Sequence, residues 1–242
     1  MDYSKSIELY GDGIGKVDYV SHMGSDLTVV NSARVSFGIE KEQLDDKDKK
    51  LINYLIKHRH TSTLEHNLIT FRIAVPLYVR SQHHRHRTWS YNEISRRYTD
   101  ANLQFYEPKE FRTQHKSNRQ ASNAEELVDP AITHSHPELT YPIESPASKL
   151  INEHHRASLG LFDKLLDAGV CREQARGVLP QNLYTEYYGT VNLSNLLKFI
   201  DLRTHEGAQW EIQKVAEACL EIATDLFPVT VGAYRRIKEN EE

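Results

Sequence analysis

The sequence predicts a single domain of mixed α and β structure, and three patterns carry that prediction. Between Glu42 and His58 the apolar residues Leu44, Leu51, Ile52, Leu55 and Ile56 recur at helical spacing, with a charged face opposite. In LITFRIAV, residues 68–75, Phe71, Ile73 and Val75 alternate with Thr70, Arg72 and Ala74 as a half-buried strand does. From about Ala208 to Phe227 a long helical pattern puts Ile212, Val215, Cys219, Ala223 and Leu226 on one face. Helices interleaved with non-adjacent strands, without an internal repeat, favour one domain over residues 1–242.

In chain order, Ser6 to Val20 alternates loosely and reads as two strand pieces separated by a turn at Gly11 and Gly13. Ser25 or Asp26 caps a short helix through Val29, Val30 and Val35, and the amphipathic helix of 42–58 follows. After the strand at 68–75, Pro76 suits position N1 of a helix running toward the histidines, so that RHR, residues 85–87, sits at a helix end leading into a loop. Residues 100–145 are polar, rich in Pro, Ser, Asn and His, and weakly periodic; they read as a polar loop or partly disordered insertion, with a short helix near Glu125. Ser145 and Pro146 read as N-cap and N1 of a long helix stopped near Gly169. TEYYGTV reads as a strand, Asn192 caps the helix NLSNLLKFIDLR, and the 208–227 helix stops before Pro228.

Composition narrows the function. A formal net charge of -4 argues against a general nucleic-acid binder, which needs a basic excess to displace counterions. The two cysteines, Cys171 and Cys219, lie far apart and form no CxxC, so neither a disulfide framework nor a zinc ribbon is indicated. The start MDYSKSIELYGDG lacks the pattern of a signal peptide, and no apolar stretch reaches membrane-spanning length. A cytoplasmic protein with no membrane partner is expected.

Against that acidic background, RHRTWSYNEISRRY at 85–98 stands out, with Arg85, Arg87, Arg96 and Arg97 in one short stretch. A solvated charged face is the plain explanation. However, the stretch also holds Asn92, Glu93 and Ser95, which add acceptors and directional donors, and it lacks lysine. Arginine forks grip phosphate or carboxylate through paired hydrogen bonds, so an anion held in a fixed pose explains the density better. A metal is not expected: His58, His60, His66, His83, His84 and His86 show no HExxH pair, and the neighbouring arginines repel a cation. Ser95 lacks a G-x-S-x-G elbow and reads as a hydrogen-bonding ligand rather than a nucleophile. No Gly-rich dinucleotide fingerprint or P-loop is present, so a nucleotide cofactor is held by other means.

These residues resemble a known family. Arg85-His86-Arg87, seven residues and then Ser95 match the RHR-x7-S signature of the flavin-dependent thymidylate synthases, and Ser90, Asn92 and Glu93 complete its fuller form, RHR-x2-S-x-N-E-x-S. HTSTLEH at 60–66 resembles the family's H-x-[TS]-x2-EH segment. Arg176, VLP at 178–180, YT at 184–185, TVN at 190–192, LR at 202–203 and AQWEI at 208–212 follow in order. The likeness runs from about residue 25 to 235 and is weakest over 100–145.

The resemblance implies a synthase that makes dTMP from dUMP, with 5,10-methylenetetrahydrofolate as carbon donor and hydride from FAD that NADPH has reduced. It implies an α/β (α+β) fold: a curved, mainly antiparallel central sheet flanked by helices, in a homotetramer whose active sites lie between subunits. Carried over, His60, Ser62, Arg85, His86, Arg87, Glu93, Asn192, Ser194 and Lys198 are expected at FAD. Gln82, Arg85, Glu93, Ser95, Arg96, Arg97, Arg176 and Arg203 are expected at dUMP, with Ser95 and the nearby arginines around its phosphate. Some family members carry Arg where this chain has Ser194, and a neutral or aromatic side chain where it has Lys198. The Lys198 charge then compensates for the missing arginine.

The chemistry of uracil sets the demand. Its C5 is a poor nucleophile, and neither cysteine falls in a matching block, so activation by an added thiol is not expected. Arg203 takes the activating role by the family match, since a permanent charge near N3 and O2 stabilises negative charge developing on the ring. Two alternatives stay open on the residues alone: a non-catalytic nucleotide or RNA-binding module, and another NADPH-dependent flavoenzyme on the same scaffold.

Overall fold

The computed structural model describes residues 3–119, 121–135 and 140–240. The strands in chain order are β1 (Ser6–Glu8), β2 (Lys16–Met23), β3 (Leu68–Pro76), β4 (Ser90–Glu93), β5 (Phe111–Gln114), β6 (Ser122–Val128), β7 (Ala131–His134), β8 (Ile143–Pro146) and β9 (Tyr184–Asn192). The helices are α1 (Asp26–Arg34), α2 (Asp46–Lys57), α3 (Leu77–His83), α4 (Ala147–Asp167), α5 (Arg172–Ala175), α6 (Leu193–Arg203), α7 (Trp210–Leu226) and α8 (Pro228–Glu239).

A five-stranded sheet in the order β1-β2-β3-β9-β4, antiparallel at every pairing, forms the centre of this mixed α and β domain. The alternation read in 68–75 holds through Ile73 and ends at Ala74, which is buried too: Ile69, Phe71, Ile73 and Val75 are fully buried on one face, while Arg72 on the other is exposed and pairs with Glu186 at 2.7 Å. That asymmetry is the mark of an antiparallel sheet with one solvated face. On the buried face, Tyr187 and Val191 of β9 join the β3 residues against Leu196, Phe199 and Ile200 of α6 and Ile212, Val215 and Cys219 of α7. Each large apolar side chain so buried contributes about 1.5–3 kcal/mol. α8 folds back between α7 and α2. A smaller core under Phe162, Ala175, Leu179 and Leu183 joins α4 and α5 to the Phe105–Leu183 bridge.

Gly189 shows why the sheet accepts the RHR segment where it does. It lies between Phe71 of β3 and Tyr91 of β4, and a Cβ there would stand 3.2 Å from the Trp89 ring. With no side chain at 189, Trp89 closes onto the sheet and seats β4 at its edge.

Several boundaries correct the sequence reading. Pro76 is the N-cap of α3, not N1, because it completes β3 in extended conformation (φ -61°, ψ 151°). Ser145 and Pro146 belong to β8, and α4 begins at Ala147. The RHR stretch follows the end of α3 and leads into a short turn, as read from the sequence, and strand β4 opens after that turn at Ser90. Pro228 does not close the chain's helices but opens α8 from N1, the position where a missing N–H costs nothing. The largest correction concerns 100–145. Its described part contains two antiparallel ladders, β5–β6 and β7–β8, and Glu125 lies in β6 rather than in a helix. These strands are short and mostly solvated on both faces, so no apolar alternation announces them. Residues 120 and 136–139 of that stretch lie outside the described residues.

Candidate active site

The turn between α3 and β4 sorts the motif residues by direction. α3 ends at His83, which is fully buried, its Nδ1 2.8 Å from the Tyr187 hydroxyl. Tyr91, two residues into β4, reaches back and donates its hydroxyl to the carbonyls of His83 (2.9 Å) and His86 (3.1 Å). Pinned in this way, the turn sends the His86 imidazole inward, edge-on to Phe199, and leaves Arg85 and Arg87 exposed on either side.

His86 meets Arg203 at the last turn of α6. Arg203 Nε donates to His86 Nε2 at 3.0 Å, and its Nη2 to the Gln82 carbonyl at 3.4 Å. An imidazole nitrogen that accepts from a guanidinium must be unprotonated. Burial first, and the Arg203 charge second, push the His86 pKa down to about 4. Burial also lowers the Arg203 pKa. Gln82, His86 and Arg203 thus form one group, in which His86 and Arg203 come from two of the matched blocks and Gln82 from the last turn of α3.

A second group surrounds a cleft of about 500 Å³ between β4, the start of β9 and the turn after α5, with Glu93, Ser95, Arg96 and Arg176 in its walls. The Arg96 guanidinium is half-buried and held by carbonyls: Nη1 donates to Ala101 at 2.6 Å and Nη2 to Tyr184 at 3.4 Å. Glu93 accepts from the Thr185 hydroxyl at 2.6 Å and pairs with Arg80 Nε at 3.3 Å. Arg97 is exposed and pairs with Glu173, a carboxylate of the cleft wall, at 3.7 Å. Arg80 and Thr185 are site residues that the sequence reading missed. Thr185 lies in the matched YT pair, which was the available signal, but a lone arginine on a helix carries none.

The third group lines a cavity of about 260 Å³ between α2, α6 and α8, with His60, Ser194 and Lys198 in its wall and Arg59 beside them. Arg59 adopts a left-handed backbone (φ 57°), uncommon for a side chain of this size. Asn192 caps α6, its Oδ1 accepting from the Asn195 N–H at 2.9 Å, which leaves only its amide NH2 for a ligand. Ser194 is 2 % exposed, and its hydroxyl has no protein partner. A buried hydroxyl without a partner, at a helix N-terminus and beside a lysine, suits the anionic part of a cofactor such as FAD. Ser62 is exposed, and its carbonyl accepts the Glu65 N–H in the turn before β3.

Neither cysteine stands at these groups. Cys219 is fully buried in α7, its thiol pKa pushed up by burial, and the exposed Cys171 donates to Gln174 Oε1 at 3.7 Å. Among the described residues, no three His, Cys, Asp or Glu side chains gather as a metal site, and no helix is long and apolar enough to cross a membrane.

Comparison with known proteins gives concordant results. The family model for thymidylate synthase complementing protein matches residues 18–229. A flavin-dependent thymidylate synthase of Thermus thermophilus is 40% identical over 220 residues, which make up 91% of this chain and 75% of that one. One from Thermotoga neapolitana is 39% identical, over 91% of this chain and 90% of that one. The crystal structure of a UMP/dUMP methylase, PolB from Streptomyces cacaoi bound with 5-Br dUMP, superposes with a TM-score of 0.74 at 32% identity, covering 95% of this chain and 97% of that one.

Proposed function

The chain belongs to the flavin-dependent thymidylate synthase family, and from that premise we propose that it methylates dUMP reductively to dTMP. The carbon comes from 5,10-methylenetetrahydrofolate, and the two electrons come from NADPH by way of FAD. The observation that carries this reading is the cleft whose wall holds Ser95, Arg96 and Arg176, three donors of the matched blocks brought to one space. A nucleotide phosphate is the ligand that such a cleft suits.

The residues divide the work. Arg96, tethered by backbone carbonyls, and Arg176 hold the phosphate, with Ser95 as a further donor and Arg97 nearby. Glu93 is fixed by Arg80 and Thr185, so it keeps the cleft's edge in place. Arg203, aimed by neutral His86 and the Gln82 carbonyl, stands at the pyrimidine and stabilises negative charge on the ring as C5 attacks the one-carbon unit. C5 loses its proton and ends as a methyl-bearing carbon, and tetrahydrofolate leaves. His60, Ser62, Asn192, Ser194 and Lys198 hold FAD together with Arg85, His86 and Arg87. When bound, FAD supplies the hydride that no side chain can provide. Holding ring and cofactor in register is where the protein lowers the barrier, by on the order of several kcal/mol. The exposure of Arg85, Arg87, His60 and Ser62 in the single chain is consistent with a homotetramer in which a neighbouring subunit closes the site.

The test is a visible spectrum of the purified protein, followed by tritium release from dUMP labelled at C5 in the presence of the folate, NADPH and FAD. Flavin absorbance with folate-dependent release is expected. Arg203→Ala should cut the release by about 10²–10³-fold while FAD still binds, the scale of losing one charge-stabilising donor. A colourless protein with no release, and with affinity for nucleic acid that falls with salt, would overturn the reading.

A further inference from the structure

A chain of polar contacts connects the β5–β6 ladder to Arg203. Arg112 on β5 donates from Nη2 to Glu211 Oε1 at 2.6 Å and lies over the Trp210 ring, 5.1 Å from its centroid. Glu211 is 4 % exposed, and its second oxygen accepts from Gln209 Nε2 at 2.8 Å. Gln209 Oε1 accepts in turn from Gln82 Nε2, and the Gln82 carbonyl accepts from Arg203. The β5–β6 ladder shares no sheet with the five-stranded core, so this side-chain chain is one of its ties to the body.

The order of donors is forced from the Glu211 end. An ionised carboxylate only accepts, so Gln209 must turn its NH2 toward Glu211 and its oxygen toward Gln82. Gln82 must then spend an N–H on Gln209, which leaves its Oε1 free to accept. Among the described residues no group donates to that oxygen. Arg112 is the charge partner of Glu211 at such depth, so removing it leaves a buried carboxylate unpaired and the orientation of Gln209 unsupported.

We propose that Arg112 is a positioning residue for pyrimidine recognition: through Glu211 and Gln209 it fixes the amide of Gln82 so that Oε1 meets an N–H donor on the ring. This rests on the assignment of dUMP as substrate. Uracil offers such a donor at N3, where cytosine has an acceptor, so the device selects uracil over cytosine nucleotides. A site built to bond an N–H rejects the ring lacking it, because its own group is then left unpaired.

The test measures dissociation constants of dUMP and dCMP for the FAD-loaded protein and for its Arg112→Met, Arg112→Lys and Gln82→Ala variants. Arg112→Met should weaken dUMP by about tenfold and narrow the preference over dCMP, with FAD affinity unchanged and Arg112→Lys recovering most of the loss. In the Gln82→Ala background, Arg112→Met should cost nothing further. The same loss in both backgrounds would show that Arg112 acts independently of Gln82 and would overturn the inference while leaving the dUMP assignment intact. If the unaltered protein binds FAD but not dUMP, the assignment itself fails, and the inference with it. Should Arg112→Met not fold, Gln209→Leu breaks the same chain while keeping the Arg112–Glu211 pair, and the same non-additivity with Gln82→Ala decides.

Discussion

His86 is neutral because burial and Arg203 both oppose its protonation, and this has a measurable consequence. Its pKa falls from 6.5 to about 4, so between those values the unfolded chain binds a proton that the folded protein refuses. Stability from this residue is therefore complete above pH 6.5 and is lost as pH falls toward 4. Denaturant midpoints taken across that window should fall with acid, and His86→Asn should flatten the slope. His83 and His84 keep part of it, since burial lowers their pKa values too. An unchanged slope in His86→Asn would mean that the imidazole is not held against Arg203. The identity of the motif was legible in the sequence, but its division was not. RHR gives no sign that its histidine turns inward and its arginines outward, because that depends on Tyr91, which occupies an unspecified position of the signature and pins the turn from the neighbouring strand.

Helix α6 carries the residues proposed for FAD, Asn192 at its cap, Ser194 in its first turn and Lys198 midway, and the residue proposed for the pyrimidine, Arg203, at its finish. Its first turn presents the positive end of the helix dipole with the unpartnered Ser194 hydroxyl, and Lys198 adds charge one turn later. Lys198→Met is expected to weaken FAD, followed by flavin fluorescence on the apo-protein, by roughly threefold to tenfold, a modest effect because the lysine is exposed and screened. dUMP affinity should not change. Equal FAD affinity would leave the loss of the family arginine at 194 without compensation from this residue. The sequence announces α6 clearly, since Asn192 is a strong cap and Leu196, Phe199 and Ile200 recur on one face. Strands β5 to β8 and helix α8 were hidden for different reasons. The former are polar on both faces, and the latter begins with a proline that reads equally well as a stop.

Across the whole molecule, one carboxylate joins the first helix to the last. Asp26 opens α1 and is 5 % exposed, and it accepts from the Val229 N–H, the Thr230 N–H and the Thr230 hydroxyl, all at the start of α8. An acid at a helix N-terminus also meets the dipole favourably. Asp26→Ala strands the buried Thr230 N–H and the part-buried Val229 N–H and should cost about 2–4 kcal/mol in urea unfolding. A loss under about 0.5 kcal/mol, the range of an ordinary surface change, would show the clamp to be incidental. The pairing of β3 with β9 reaches comparably far, since Thr70 and Thr190, whose hydroxyls lie 2.9 Å apart, are separated by 120 residues. During synthesis at about 5–20 residues per second, β3 leaves the ribosome roughly 6–24 seconds before its partner. Its Ile69, Phe71, Ile73 and Val75 edge must wait unpaired for that time, so the nascent chain is most exposed to misassociation between the completion of β3 and the arrival of β9.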